Sequence, residues 1–463
     1  MTDLNALLQA DKGQAATPLH LVDKKSFEAW LGGQPERVRQ AVKAQAFKAE
    51  GYQFATLPGE KGDEWSVVLG VANVDDPSAW CLAKAADLLP EGTYRVADRS
   101  PGPAVLGWLL GQYRFERYKQ EPSKKGPRVL LTDEPARIDE TVSIAEATFL
   151  VRDLVNIPAG DLGPAELQKA AEDLAADHGA SVTTTIGAEL AAGYPMIHAV
   201  GAAATAQRAP RLIELEWGDP KNPRLAIVGK GVVFDSGGLD IKMAAGMRLM
   251  KKDMGGAAHA LGLARLIMKA RLPVRLHLLI PAVENAISGA AFRPGDILKS
   301  RKGLTVEIGN TDAEGRLILG DALAKAAEGN PELILDFATL TGAARVALGP
   351  DLPAMFANDE ALANELMAAG EAAFDPIWRM PLWKHYNEML ASDVADLGNA
   401  TDAPLAGAVT AALFLQRFVP EDTAWAHFDT FAWRPIGKPG RPKGGDALGM
   451  RAAWHMIKGR YAA

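Results

Sequence analysis

The residues able to do chemistry gather on a few connections. The stretch Gly309-Asn310-Thr311-Asp312-Ala313-Glu314-Gly315-Arg316-Leu317 sets two carboxylates one residue apart, bracketed by Asn310 and Gly315, with a cation directly after. Such a loop can hold a divalent metal through oxygen ligands, and it can equally be a solvated acidic turn. Asp235 follows the glycine-containing run Gly229-Lys230-Gly231, and Asp253 lies in Met250-Lys251-Lys252-Asp253-Met254. Four carboxylates brought to one rim repel each other unless cations neutralise them, and two divalent ions would do so. A metal pair of this kind polarises a carbonyl and lowers the pKa of a bridging water, giving a nucleophile near neutral pH. Taken singly, Asp235 and Asp253 also fit the roles of helix cap or ion-pair partner. Lys230, Lys242 and Arg316 are then counter-charges or participants.

Competing motifs are absent. The run 229–238 lacks the Gly-x-x-x-x-Gly-Lys-Ser/Thr phosphate cradle, and 310–317 lacks the ligand ladder of an EF-hand. There is no His-Glu-x-x-His pair, and His198, His259, His277 and His427 sit in apolar or regular segments where a structural role is expected.

The elements that must position these side chains follow from apolar periodicity. A helix is predicted over 140–155, where Ile144, Ala147, Val151, Leu154 and Val155 share a face, and it ends at Asn156-Ile157-Pro158. Beyond it come a helix near 165–178 and strands near 181–186, 211–215, 225–228, 304–308 and 333–337. Alternating strands and helices imply a mixed, mainly parallel sheet flanked by helices. Function in such sheets sits outside the C-terminal strand ends, so the loops after 228, 308 and 337 are expected on one rim. Before residue 138 a smaller α/β domain is expected, with a buried strand at 66–71 and a helix starting at Asp76-Pro77. The proposed division is 1–138 and 139–463, with the helix at about 140–156 as linker. A last short helix is expected near 447–457.

With 463 residues, two domains are the natural expectation. Apolar residues make up 48% and charged residues 23%, the profile of a folded chain rather than a disordered one. The net charge of −7 gives no support to a general nucleic-acid or anionic-membrane surface. The single cysteine, Cys81, excludes intramolecular disulfides and Cys-rich zinc sites, and reads as a small buried hydrophobe. No apolar run is long enough to span a bilayer and the first residues do not form a signal segment, so a cytoplasmic location is expected.

Residues 310–317 resemble, without a departure, the signature of the leucyl aminopeptidase family of two-metal cytosolic exopeptidases. In order along the chain, Val228-Gly229-Lys230-Gly231, Phe234-Asp235-Ser236-Gly237-Gly238, Ile241-Lys242, 250–254, 338–343 and 406–412 are also similar to that family's motifs. The resemblance implies that Lys230, Asp235, Asp253 and Glu314 hold one metal while Asp235, Asp312 and Glu314 hold the other. It implies that Lys242 stabilises the oxyanion and that Arg316 holds a bicarbonate serving as general base. It places Met250, Thr339, Leu340 and Gly342 against the substrate. Zinc or manganese, with magnesium or cobalt as alternatives, are the implied ions, peptides with a free amino terminus the implied substrates, and a homohexamer the implied assembly. The first residue removed would be leucine or another, mostly apolar, residue. One departure bears on that preference: Thr430-Phe431-Ala432-Trp433-Arg434 replaces the commoner Ile-Ala-Gly-containing version beside the pocket.

Two rivals remain at this point: a DNA-binding architectural role, against which the acidic balance weighs, and a two-metal phosphoesterase, supported only by the carboxylate count.

Overall fold

The computed structural model describes residues 3–123, 125–401 and 403–462. Two compact units emerge, Met1–Phe149 with Ile436–Lys443, and Leu150–Pro435 with Gly444–Ala463.

In the first unit, strands β1 (Leu8–Ala10), β2 (Thr17–Val22), β3 (Phe54–Pro58), β4 (Trp65–Gly70), β5 (Gly92–Val96) and β6 (Arg128–Thr132) form one sheet in the order β1-β6-β5-β2-β4-β3. Every neighbouring pair is parallel except β3 with β4. The buried strand expected at 66–71 is β4, whose last four residues are buried, and Cys81 is buried. No helix starts at Asp76-Pro77. The chain instead makes tight turns, with Cys81 N–H donating to Ser78 O and Ala83 N–H to Trp80 O, three residues back, and the helix begins only at Ala83.

The second unit is built on a mixed sheet. Its strands are β7 (Ser181–Ile186), β8 (Arg211–Trp217), β9 (Arg224–Gly229), β10 (Gly231–Asp235) and β11 (Arg275–Asn285), then β14 (Leu333–Ala338), β15 (Ala354–Ala357), β16 (Trp378–Arg379) and β18 (Ala424–Asp429). Short strands β12 (Ile297–Lys299), β13 (Thr305–Glu307) and β17 (Leu397–Gly398) form a separate sheet. The main order is β16-β15-β18-β14-β9-β11-β8-β7, with β10 paired to β11. The centre is parallel, and β14 is buried at every position, as a strand covered on both faces must be. β7 and β8 add an antiparallel edge. The expected helices at 140–155 and 165–178 are Ile138–Asn156 and Pro164–His178, and the last helix is Met450–Tyr461.

Two expectations about the rim need correction. The strand near 304–308 does not belong to the main sheet: three residues long, it pairs antiparallel with β12 across a turn and parallel with β17. The loop carrying Asp312 and Glu314 therefore arrives from the small sheet. Nor is the segment after residue 228 all loop. Gly231–Asp235 forms β10, parallel to the end of β11, so Asp235 closes a strand.

No described helix is long and apolar enough to cross a membrane.

Candidate metal centre

Lys230 follows β9, and its backbone is fixed on both sides: its N–H donates to Phe337 O of β14, and its carbonyl accepts from Ala257 N in the helix Gly255–Lys269. Asp253 stands in the 3-10 turn Met250–Met254 just before that helix. Glu314 is the first residue of the helix Glu314–Ala327, where the helix dipole favours negative charge. Gly237 takes a φ of +89°, which turns the chain after β10 and lets its N–H donate to Asp235 Oδ1 at 2.9 Å.

The structure brings the predicted residues together. Ligand oxygens of Asp235, Asp312 and Glu314 lie within 4.8 Å of one another. Asp253 joins them through Lys230, whose Nζ is 2.7 Å from Asp253 Oδ2 and 2.9 Å from Glu314 Oε1. Lys242 Nζ is 2.9 Å from Asp235 Oδ2 and also pairs with Asp312. Lys230, Asp235, Asp253 and Glu314 are all buried.

Burial and neighbouring charge perturb Asp253, Asp312 and Glu314. Burial, then the Asp235 charge, pushes Asp312 and Glu314 above the usual carboxylate range. Burial opposes ionisation of Asp253, yet the Lys230 charge holds it low. Burial also works against the Lys230 and Lys242 ammonium groups, but the surrounding carboxylates raise both above the ordinary lysine value. Burial brings Arg316 down to about 10. Despite the lysines at ion-pair distance, Asp253 Oδ2, Asp312 Oδ1 and both Glu314 oxygens lack a hydrogen bond of sound geometry among the described residues. Buried oxygens left so are rare. A set of orphaned carboxylate oxygens with an amine at its centre matches the hard-to-borderline donors that divalent ions take.

Sequence reasoning missed the residues that hold this arrangement. Asn285 Nδ2 donates to Asp235 Oδ1 at 2.9 Å and to Thr311 O at 3.1 Å, joining two of the acidic segments. Thr311 Oγ1 donates to Gly237 O at 2.6 Å, and its N–H donates to Asp240 Oδ2 at 2.7 Å. Asn399 grips the acidic loop: Oδ1 accepts from Gly309 and Asn310 N–H, and Nδ2 donates to Asn310 O. Arg316 Nη1 donates to Asn399 O at 2.7 Å. Thr311 lies inside the motif itself; for Asn285 and Asn399 no spacing gave a signal.

A cavity of about 1320 Å³ opens onto these groups. Met250, Thr339, Leu340 and Gly342 line it, as do Lys242 and Arg316. Thr339 Oγ1 donates to Asp253 Oδ1 at 2.8 Å, and Asp429 holds the 340–341 turn by accepting from Leu340 N and Thr341 Oγ1. The histidines lie elsewhere. His259 bridges Gly255 O and Leu448 N, His277 lies between Arg224 and Glu214, His427 pairs with Asp336, and His198 is half-buried on the helix Pro195–Gly201.

A family model described as the cytosol aminopeptidase family, catalytic domain, matches residues 149–453. One described as the M17 aminopeptidase N-terminal domain matches residues 17–131. A probable cytosol aminopeptidase of Roseiflexus castenholzii is 44% identical over 369 residues, 76% of this chain and 75% of that one. Among solved structures, the cytosol aminopeptidase from Coxiella burnetii matches with a TM-score of 0.93 and 44% identity, covering 98% of this chain and 99% of its own. The bottromycin maturation enzyme BotP in complex with Mn matches with a TM-score of 0.86 and 32% identity, covering 96% and 100%.

Proposed function

The chain belongs to the cytosol aminopeptidase family and is a metallo-aminopeptidase, and from that premise we infer how its own residues run the reaction. The observation that carries the reading is the convergence of Asp235, Asp312 and Glu314 within 4.8 Å, with orphaned oxygens on Asp253, Asp312 and Glu314 around Lys230. Lys230, Asp235, Asp253 and Glu314 would hold one divalent ion, and Asp235, Asp312 and Glu314 the other. When bound, two such ions (zinc or manganese, with magnesium or cobalt as alternatives) and a bicarbonate supply carbonyl polarisation, an activated water and a general base.

The chain does the rest. Lys230 serves as a ligand only as a free amine, so it gives up its proton when the site fills. Lys242, on the cavity wall, directs its ammonium at the carbonyl oxygen as negative charge develops there. Arg316, held by Asn399 O, positions the bicarbonate. Met250, Thr339, Leu340 and Gly342 seat the first residue, leucine or another mostly apolar one, so that a peptide loses its N-terminal amino acid. We retain residues 1–138 and 139–463 as the two domains and a homohexamer as the assembly.

The test is metal removal and return. After chelation, leucinamide hydrolysis should vanish and come back with two equivalents of divalent ion per chain. Asp312→Ala and Glu314→Ala should each lose that recovery while circular dichroism is unchanged. Full turnover by the double variant would overturn the assignment.

A further inference from the structure

The cavity holds a cation that the reaction above does not use. Lys252 is 3% exposed and lines the cavity. Among the described residues its hydrogen-bonding partner is Asp253 Oδ1, at a long 3.4 Å. That oxygen already accepts from Thr339 at 2.8 Å, while Asp253 Oδ2 faces Lys230. Asp253 is thus committed elsewhere, and a buried ammonium held by one long contact is under-compensated.

The surroundings deepen the imbalance. Lys252 Nζ lies 5.6 Å from the centre of the Phe431 ring, and Arg345 Cζ lies 4.7 Å from the same centre. Phe431 and Arg345 also line the cavity. An aromatic face offers a cation only a weak, partial counter-charge. Among the cations lining the cavity, Lys252 and Arg345 have no part in the metal centre or the reaction, and the acids Asp235, Asp253 and Asp312 are assigned to that centre. Divalent ions there would leave Lys252 without a carboxylate of its own. The occupant that supplies one carries a carboxylate near Lys252 and a methylene stem to lie on Phe431.

Resting on the aminopeptidase reading, we propose that Lys252, Phe431 and Arg345 extend the specificity of this enzyme to peptides whose first residue is acidic, glutamate in particular. Lys252 takes the side-chain carboxylate and Phe431 packs its methylenes. Arg345, exposed at the mouth, supplements the charge.

The experiment compares kcat/KM of the metal-loaded enzyme for the amides of glutamate, glutamine and leucine. Amides carry no C-terminal carboxylate, so only the side chain distinguishes glutamate from its neutral isostere. A hydrogen bond to a charged group predicts glutamate over glutamine by about tenfold or more. In Lys252→Met the ratio should fall to about one, Lys252→Arg should restore most of it, and Arg345→Gln should lower it about threefold. A purely structural Lys252 would change all three substrates together and leave the ratio intact, which overturns the proposal. So does equal use of glutamate and glutamine by the parent enzyme. A carboxylate advantage confined to Leu-Gly over Leu-Gly-amide also overturns it, in favour of recognition of the peptide's far end. Hydrolysis of none of these substrates would sink the aminopeptidase reading itself. If Lys252→Met does not fold, the ratio in Lys252→Arg and Arg345→Gln decides alone.

Discussion

Gly315 leaves open the space that Lys230 fills: a Cβ on Gly315 would stand 2.5 Å from Lys230 Cε and 2.6 Å from its Nζ. The atoms it would meet are the far end of a flexible side chain, so the backbone need not move. Gly315→Ala should therefore keep the fold, with a helix gain of at most ~1 kcal/mol. The amine is displaced, and metal affinity should fall about 10–100-fold. Metal titration read beside the melting temperature checks this, and tight binding with an unchanged Lys230 would remove the amine from the ligand set.

Lys242→Ala should lower turnover by about 10²–10³-fold, the usual effect of losing one oxyanion donor, with metal still bound. Elemental analysis of the purified variant decides: a drop in metal content would make Lys242 a support of Asp235 and Asp312 instead.

Asn399 is fully buried and satisfies two backbone donors of the acidic loop. Asn399→Ala strands Gly309 and Asn310 N–H; Gly309 is exposed and Asn310 half-buried, so water takes up part of the loss and the total should stay near the low end of about 1–3 kcal/mol. The urea midpoint should fall and KM for metal-activated hydrolysis should rise. An unchanged midpoint would show that the loop is held from elsewhere.

Asp321 accepts from Met196, Ile197 and Arg301 N–H, and burial pushes its carboxyl up to about 7, above the ordinary value of 3.8. Between these values the unfolded chain has lost this proton while the folded chain keeps it, so its contribution to stability falls as pH rises through that window. Asp321→Asn cannot titrate. Its melting temperature should change less between pH 5 and pH 7 than the parent's; parallel slopes would mean that Asp321 is already ionised.

Asp446 stands between two buried guanidinium groups, 3.0 Å from Arg152 Nη2 and 2.9 Å from Arg434 Nε. Asp446→Ala should destabilise the second unit by about 3–5 kcal/mol, since removing one partner leaves buried charge behind. Asp351→Ala, at the half-exposed end of the same network, should cost far less. Denaturant unfolding of the two variants checks the order.

The sequence reading succeeded where chemistry is local. Asp312, Glu314 and Arg316 sit within five residues, and the order of the other motifs was enough to name the family. Strands buried on both faces, such as β14, announce themselves as apolar runs. It failed where long-range pairing decides. Thr305–Glu307 looks like a strand of the main sheet, yet its partners are Ile297–Lys299 and Leu397–Gly398. Gly231–Asp235 looks like loop because its glycine and its acid answer to Pro281 and Asn285, which are about fifty residues away. Asn285 and Asn399 act through amides that reach distant segments, and nothing in their neighbours' types reveals it. Asp76-Pro77 has the residues of a helix start without the helix, because turns take the hydrogen bonds that a helix would need.

The position of β18 has a consequence for how the chain comes to be made. This strand, Ala424–Asp429, lies between β14 and β15, although both are synthesised some seventy or more residues earlier. Until it emerges from the ribosome, two apolar strands have open edges and the 340–341 turn lacks the Asp429 carboxylate that holds it. A nascent chain stalled before Ala424 would carry every side chain proposed to bind metal and still have no finished pocket, and its exposed strand edges would make it a client for chaperones.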